Sequence, residues 1–155
     1  MKKILGFVGI LVLGWANFAF GKPIDSDVAK KVATSHLYAE EQFFKKNPHL
    51  APKVFTKGQG FSILESQALK KTKGVPLAYI FDLAPEGYVA ISSDTDIRPV
   101  IAYSFKGKFP IEESVENILL HLLTQDMENR VKALPITSQK LKQENNALLM
   151  MIVAP

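Results

Sequence analysis

The 155-residue sequence contains no cysteine. That absence excludes a thiol nucleophile, a disulfide scaffold and a thiolate metal site, and it leaves no residue to carry a lipoprotein anchor. A domain of this kind is held by core packing alone, and a chain of this size buries roughly two thirds of its unfolded surface, enough for a core. Long apolar runs are also missing. The longest, Ile4 to Trp15, falls short of the ~20 residues a membrane-spanning helix needs. Lysines are scattered (Lys30-Lys31, Lys45-Lys46, Lys70-Lys71) with no aromatic-basic stripe beside them, so a nucleic-acid surface is not supported.

What is present begins with a leader. Met1-Lys2-Lys3 is basic, Ile4 to Trp15 is apolar, and Ala19 and Gly21 stand at the minus-three and minus-one positions of a cut before Lys22. That is the three-part layout of a secretory signal peptide over 1–21. The mature chain then starts at Lys22, is exported to a periplasm or secreted, and keeps no stable membrane anchor. Removing Lys2 and Lys3 lowers the formal net charge from +4 to +2.

In the mature chain Asp25 or Ser26 can cap a helix. Val28, Val32, Ala33, Leu37, Glu40 and Phe44 follow at helical steps until Asn47-Pro48, which predicts a helix over about 26–46. Residues 47–60 read as a loop. Strand patterns follow at 61–69, 77–83, 88–92 and 100–105, with "APEG" at 84–87 as a turn. Short connections make them an antiparallel meander. Pro110, Glu112 and Glu113 open a second helix. Val115, Ile118, Leu119, Leu122, Leu123, Met127, Val131 and Leu134 supply its apolar face, and Pro135 ends it. The expected class is α+β: an antiparallel sheet of about four strands covered by two helices. The tail 135–155, closing in "ALLMMIVAP", reads as a docked strand or a truncated end.

The polar turn "SSDTDIRP" invites a catalytic reading. For calcium, the Asp94-x-Asp96 pair lacks both the glycine-centred loop and the distal glutamate. For serine chemistry at Ser92 or Ser93, nothing marks His36, His49 or His121 as a partner base. A two-carboxylate hydrolase site from Glu86 with Asp94 or Asp96 needs a cleft that a small sheet-and-helix fold does not offer. Asp and Ser side chains bond neighbouring amides in turns, and that is the role expected here. No catalytic residue, metal site or cofactor is expected. On the second helix Asn117, His121, Thr124 and Glu128 form a polar row with Leu120 beside it.

The stretch "PLAYIFDLAPEGYVAISSDTDIRPVIAYSFKGKF", followed by a helix opening "ESVENILLHLL", resembles the prosegment of streptopain-type secreted cysteine peptidases and the stand-alone Spi-type inhibitors. The matching residues are Tyr79 and Phe81, Gly87 and Tyr88, then Val89, Ile91, Ser92, Asp94, Pro99, Tyr103 and Ser104. Ala102 departs from a common glycine. The likeness covers about 26–134, in a domain of 22–134, and the tail resembles no peptidase domain. It implies that the opening of the last helix faces the peptidase's cleft, a role falling by position on Asn117, with Glu116, Phe109, Ile111 and Leu120 flanking it. Replacing Asn117 with alanine is then expected to weaken inhibition without unfolding the domain. The expected function is a secreted, non-enzymatic inhibitor of a streptopain-type cysteine peptidase. The alternatives are a prosegment remnant or folding module, and a small extracellular binding module whose apolar tail acts as an assembly strand.

Overall fold

A computed structural model of the chain describes residues 21–53, 55, 60–70, 76–112, 114 and 116–154. The leader expected over 1–21 lies, but for Gly21, outside the described residues, as do Glu113 and Val115.

Helix α1, Ser26–Lys46, starts where Asp25 accepts a hydrogen bond from the Val28 amide at 2.8 Å. Asn47 closes it by donating its backbone N–H to Phe43 and its side chain to the same carbonyl. Four strands follow: β1 Ser62–Lys70, β2 Pro76–Ala84, β3 Tyr88–Ser92 and β4 Val100–Ser104. They pair antiparallel in the order β1-β2-β3-β4, which is the expected meander and α+β class. Tyr79 stands opposite Ile91, Phe81 opposite Val89, and Val89 in turn opposite Tyr103. Gly87 in the β2–β3 turn has φ 114, a conformation open to glycine and strained for other residues, and a Cβ there would strike the Ser104 carbonyl.

The pleat sends alternate residues of the two central strands to opposite faces, and both faces are covered. On one face Phe81, Leu83, Val89 and Ile91 meet Ala29, Val32, Ala33 and Leu37 of α1. On the other, Ala78, Ile80 and Ala90 meet Leu123 and Met127 of helix α2, Ile118–Ala133. Each large apolar side chain withdrawn from water in this way contributes about 1.5–3 kcal/mol.

Two expectations need correction. Helix α2 begins at Ile118, six residues after Glu112, with Asn117 as its cap. The tail is not a docked strand: Gln139–Val153 is a third helix, α3, capped by Ser138 and packed on α1. Leu149 is buried in the α1-side core, with Ile152 and Val153 against it, and the Ser35 hydroxyl donates to the Ile152 carbonyl. At its other end α3 grips the turn after β3. Asn145 donates to the Asp96 carbonyl, Asn146 to the Asp96 carboxylate, and the Lys142 ammonium lies 3.6 Å from the same carboxylate. With the tail folded in this way, it is not available as an assembly strand.

Candidate inhibitory surface

The turn after β3 is occupied with its own backbone. Ser92 Oγ accepts from the Asp94 amide and donates to the Asp94 carbonyl, Ser93 Oγ donates to the Pro76 carbonyl at 2.7 Å, and Asp94 Oδ1 accepts from the Asp96 amide at 2.8 Å. Ser92 is wholly buried. These are turn-forming bonds, as the residue types suggested. Glu86 sits beyond the other end of β3, where it accepts from the Gly107 amide, so about 17 Å of strand separates it from Asp94. That distance leaves no paired-carboxylate geometry. Among the described residues no group of three or more His, Asp or Glu could hold a metal ion.

The approach to α2 is built differently. Asn117 is buried and fully engaged: its Oδ1 accepts from the Leu120 amide at 3.0 Å, and its Nδ2 donates to the carbonyls of Pro110 at 2.9 Å and Glu112 at 2.8 Å. One amide side chain thus caps the helix and gathers the preceding loop against it, satisfying groups that a helix start leaves open. The Ser114 carbonyl accepts from the Asn117 amide and lies 3.0 Å from His121 Nε2, which adds a second tie.

That clamp decides which side chains face outward. Asn117 itself does not, contrary to the expected direct contact, because both of its amide hydrogens are spent inside the loop. Phe109 does not either. Only 3% exposed, it packs edge-on against Tyr88 at 5.1 Å in the α2-side core. Leu120, expected on the outer side, is half-buried against that core, while Ile111 and Glu116 are exposed. Three large apolar residues outside the expected set, Ile118, Leu119 and Leu122, are 67%, 38% and 58% exposed.

Their exposure is a matter of helical phase. The buried row runs through Leu120, Leu123, Met127, Val131 and Leu134, so Ile118, Leu119 and Leu122 fall opposite it. A helix opening "ILLHLL" carries more apolar surface than one face can bury, and that surplus is the signal in the sequence that something covers it. Ile111, exposed on the approach loop, lines a separate shallow depression of about 340 Å³ with Leu120, His121 and β1. Glu112 and Glu116 border the ridge of Ile118, Leu119 and Leu122 with negative charge.

Outside this surface, His36 packs edge-on against Tyr103 with ring centroids 4.5 Å apart. Burial lowers its pKa below the usual imidazole range, and nearby Glu40 opposes that shift. Tyr103 is raised, first by burial and then by the Glu40 carboxylate its hydroxyl faces. No helix among the described residues is long and apolar enough to cross a membrane.

Comparison with curated proteins and with solved structures returned no match. The family model described as Spi protease inhibitor matches residues 21–131. That span holds α1, the whole sheet and nearly all of α2, together with the ridge at the opening of α2. The chain therefore belongs to the Spi protease inhibitor family.

Proposed function

We propose that the protein is exported and inhibits a streptopain-type cysteine peptidase without catalysis, seating the opening of α2 at the enzyme's active-site cleft as a prosegment would. The observation that carries this reading is the exposed row of Ile118, Leu119 and Leu122, with Ile111 exposed on the loop before it. An apolar surface at the opening of a helix whose approach loop is clamped, in a protease-inhibitor family, is suited to a partner's groove. Asn117 then acts as a positioning residue. It fixes the loop whose side chains make contact, and Glu116 and Leu120 flank that contact. A specific contact would bury on the order of 800 Å² on each partner.

The test is a titration of the exported protein against a mature streptopain-type peptidase, following substrate cleavage. Stoichiometric loss of activity that reverses on dilution is expected. The double variant Ile118→Asp/Leu122→Asp, altered at two exposed positions, is expected to keep its folding stability within about 0.5 kcal/mol and to lose at least about tenfold in inhibition, the scale of one well-seated contact. A folded wild-type protein that leaves the peptidase fully active would reject the inhibitor reading in favour of a folding module.

A further inference from the structure

The Gly21–Lys22 bond, where the leader is expected to be cut, adjoins a segment that is stitched into the fold. The Lys22 nitrogen donates to Thr95 Oγ1 at 2.9 Å, the Lys22 carbonyl accepts from the Thr95 amide at 3.1 Å, and the Ile24 amide donates to the Ser93 carbonyl at 2.9 Å. Pro23 pairs with Asp94 across this short ladder. The Tyr79 hydroxyl holds the next carbonyl, that of Ile24, at 3.2 Å. These bonds set the Lys22 nitrogen at a fixed place beside the turn after β3.

The turn holds two carboxylates, and among the described residues only one of them lies within ion-pair distance of a cation. Lys142 takes Asp96, whereas Asp94, half-buried, has no ion-pair partner among the described residues and accepts only from the Asp96 amide. Beside that carboxylate lies Gly21, close enough that any Cβ on it would overlap the Asp94 oxygens. Removing Gly21 vacates the space next to Asp94 and leaves a nitrogen with new hydrogens at its edge.

From this geometry we infer that cleavage before Lys22 creates a structural ion pair: the new α-ammonium of Lys22 seats between Thr95 Oγ1 and the Asp94 carboxylate, completing the fold only in the processed protein. The step is hydrolysis by the peptidase that removes export leaders. One water adds across the Gly21–Lys22 amide, leaving a carboxylate on Gly21 and, with the acid's proton transferred, an ammonium on Lys22. In the precursor the same nitrogen has a single hydrogen, already given to Thr95. After the cut it has three. Burial raises the Asp94 pKa in the uncut chain, which fits a carboxylate awaiting a counter-charge. The charged groups acting on Asp94 are Asp96 from the turn, which raises its pKa, and Lys142 from α3, which lowers it. This inference goes beyond peptidase binding and rests on the proposed export.

The experiment exports the full chain from its own leader and compares it with a form carrying one glycine inserted between Gly21 and Lys22, which adds no Cβ against Asp94, each with and without Asp94→Asn. Intact mass should place the wild-type start at Lys22. At pH 7 the insertion is expected to lower the melting temperature by about 3–6 °C, the span of a single charge-assisted contact in a domain of this size. In the Asp94→Asn background it should cost less than about 1 °C by the same scaling. The wild-type advantage should fade as pH rises above the unfolded α-amino pKa of about 7.7–8.0 and through the raised folded value. An equal loss in both backgrounds, no loss in either, or a start other than Lys22 would each overturn the inference. Inhibition measured on the same samples is read separately, so failure of the peptidase reading is not mistaken for failure of this one.

Discussion

Asn117→Ala removes three bonds at once, and their sum can be worked from the geometry. Loss of the cap to the Leu120 amide costs about 1 kcal/mol. The two bonds to the carbonyls of Pro110 and Glu112 contribute about 0.5–1.5 kcal/mol each. Both carbonyls belong to exposed residues that water can reach once the side chain is gone, so the lower end applies, giving a total of about 2–3 kcal/mol. In urea this should appear as a midpoint lowered by roughly 1–2 M with an unchanged slope, since little extra surface is exposed. Asn117→Asp keeps the acceptor and places a negative charge at the helix's positive end, so it should recover about 1 kcal/mol while still losing the loop carbonyls. Inhibition should weaken in both variants, and more in alanine, because the loop carrying Ile111 is released from α2. An alanine variant destabilised by less than about 0.5 kcal/mol would refute the clamp. It would restore the simpler expectation that this side chain matters only to a partner.

The remaining expectations concern other parts of the fold. His36, lowered by burial, stays neutral in the folded state while the unfolded chain takes up its proton near the ordinary value of 6.5. Its contribution is therefore complete above that pH and is lost as pH falls through the lowered folded value. Thermal melts between pH 8 and 5 should show this decline, and His36→Phe should flatten it; an unchanged slope in the variant would assign the decline to other groups. Lys142→Met should destabilise by about 3 kcal/mol because it strands the buried Asp96 carboxylate, and adding Asp96→Asn should return most of that. Equilibrium unfolding of both proteins decides it, and a double variant no better than the single would remove the charge pair as the cause.

How much of this was legible in the sequence depended on how cleanly each element separates its faces. Helix α1 reads directly, since Asp25 caps it, Asn47-Pro48 stops it, and its buried residues Val32, Ala33, Leu37 and Phe44 recur at helical steps between exposed lysines. The meander reads from short turns alone. Helix α2 exists where expected, but its phase does not follow from pattern, because Leu119, Leu120, Leu122 and Leu123 offer two stripes of equal hydropathy. The burial of the two candidates Asn117 and Phe109 was not legible, for related reasons. A buried asparagine looks like a surface residue until its partners are known, and a phenylalanine in a lysine-rich turn looks exposed until Tyr88 is seen beneath it. Helix α3 was hidden by its own chemistry. Its inward face carries Lys142, Asn145 and Asn146 toward Asp96, so the apolar repeat appears only at Leu149, Ile152 and Val153.

The docking of α3 also has a consequence for the order in which the protein is made. Leu149, Ile152 and Val153 finish the cluster that Ala29, Val32 and Ala33 begin. The first core residues synthesised must therefore wait for nearly the last. A nascent chain lacking α3 leaves that side of α1 bare, so this half of the core closes only after the helix made last has docked on the helix made first.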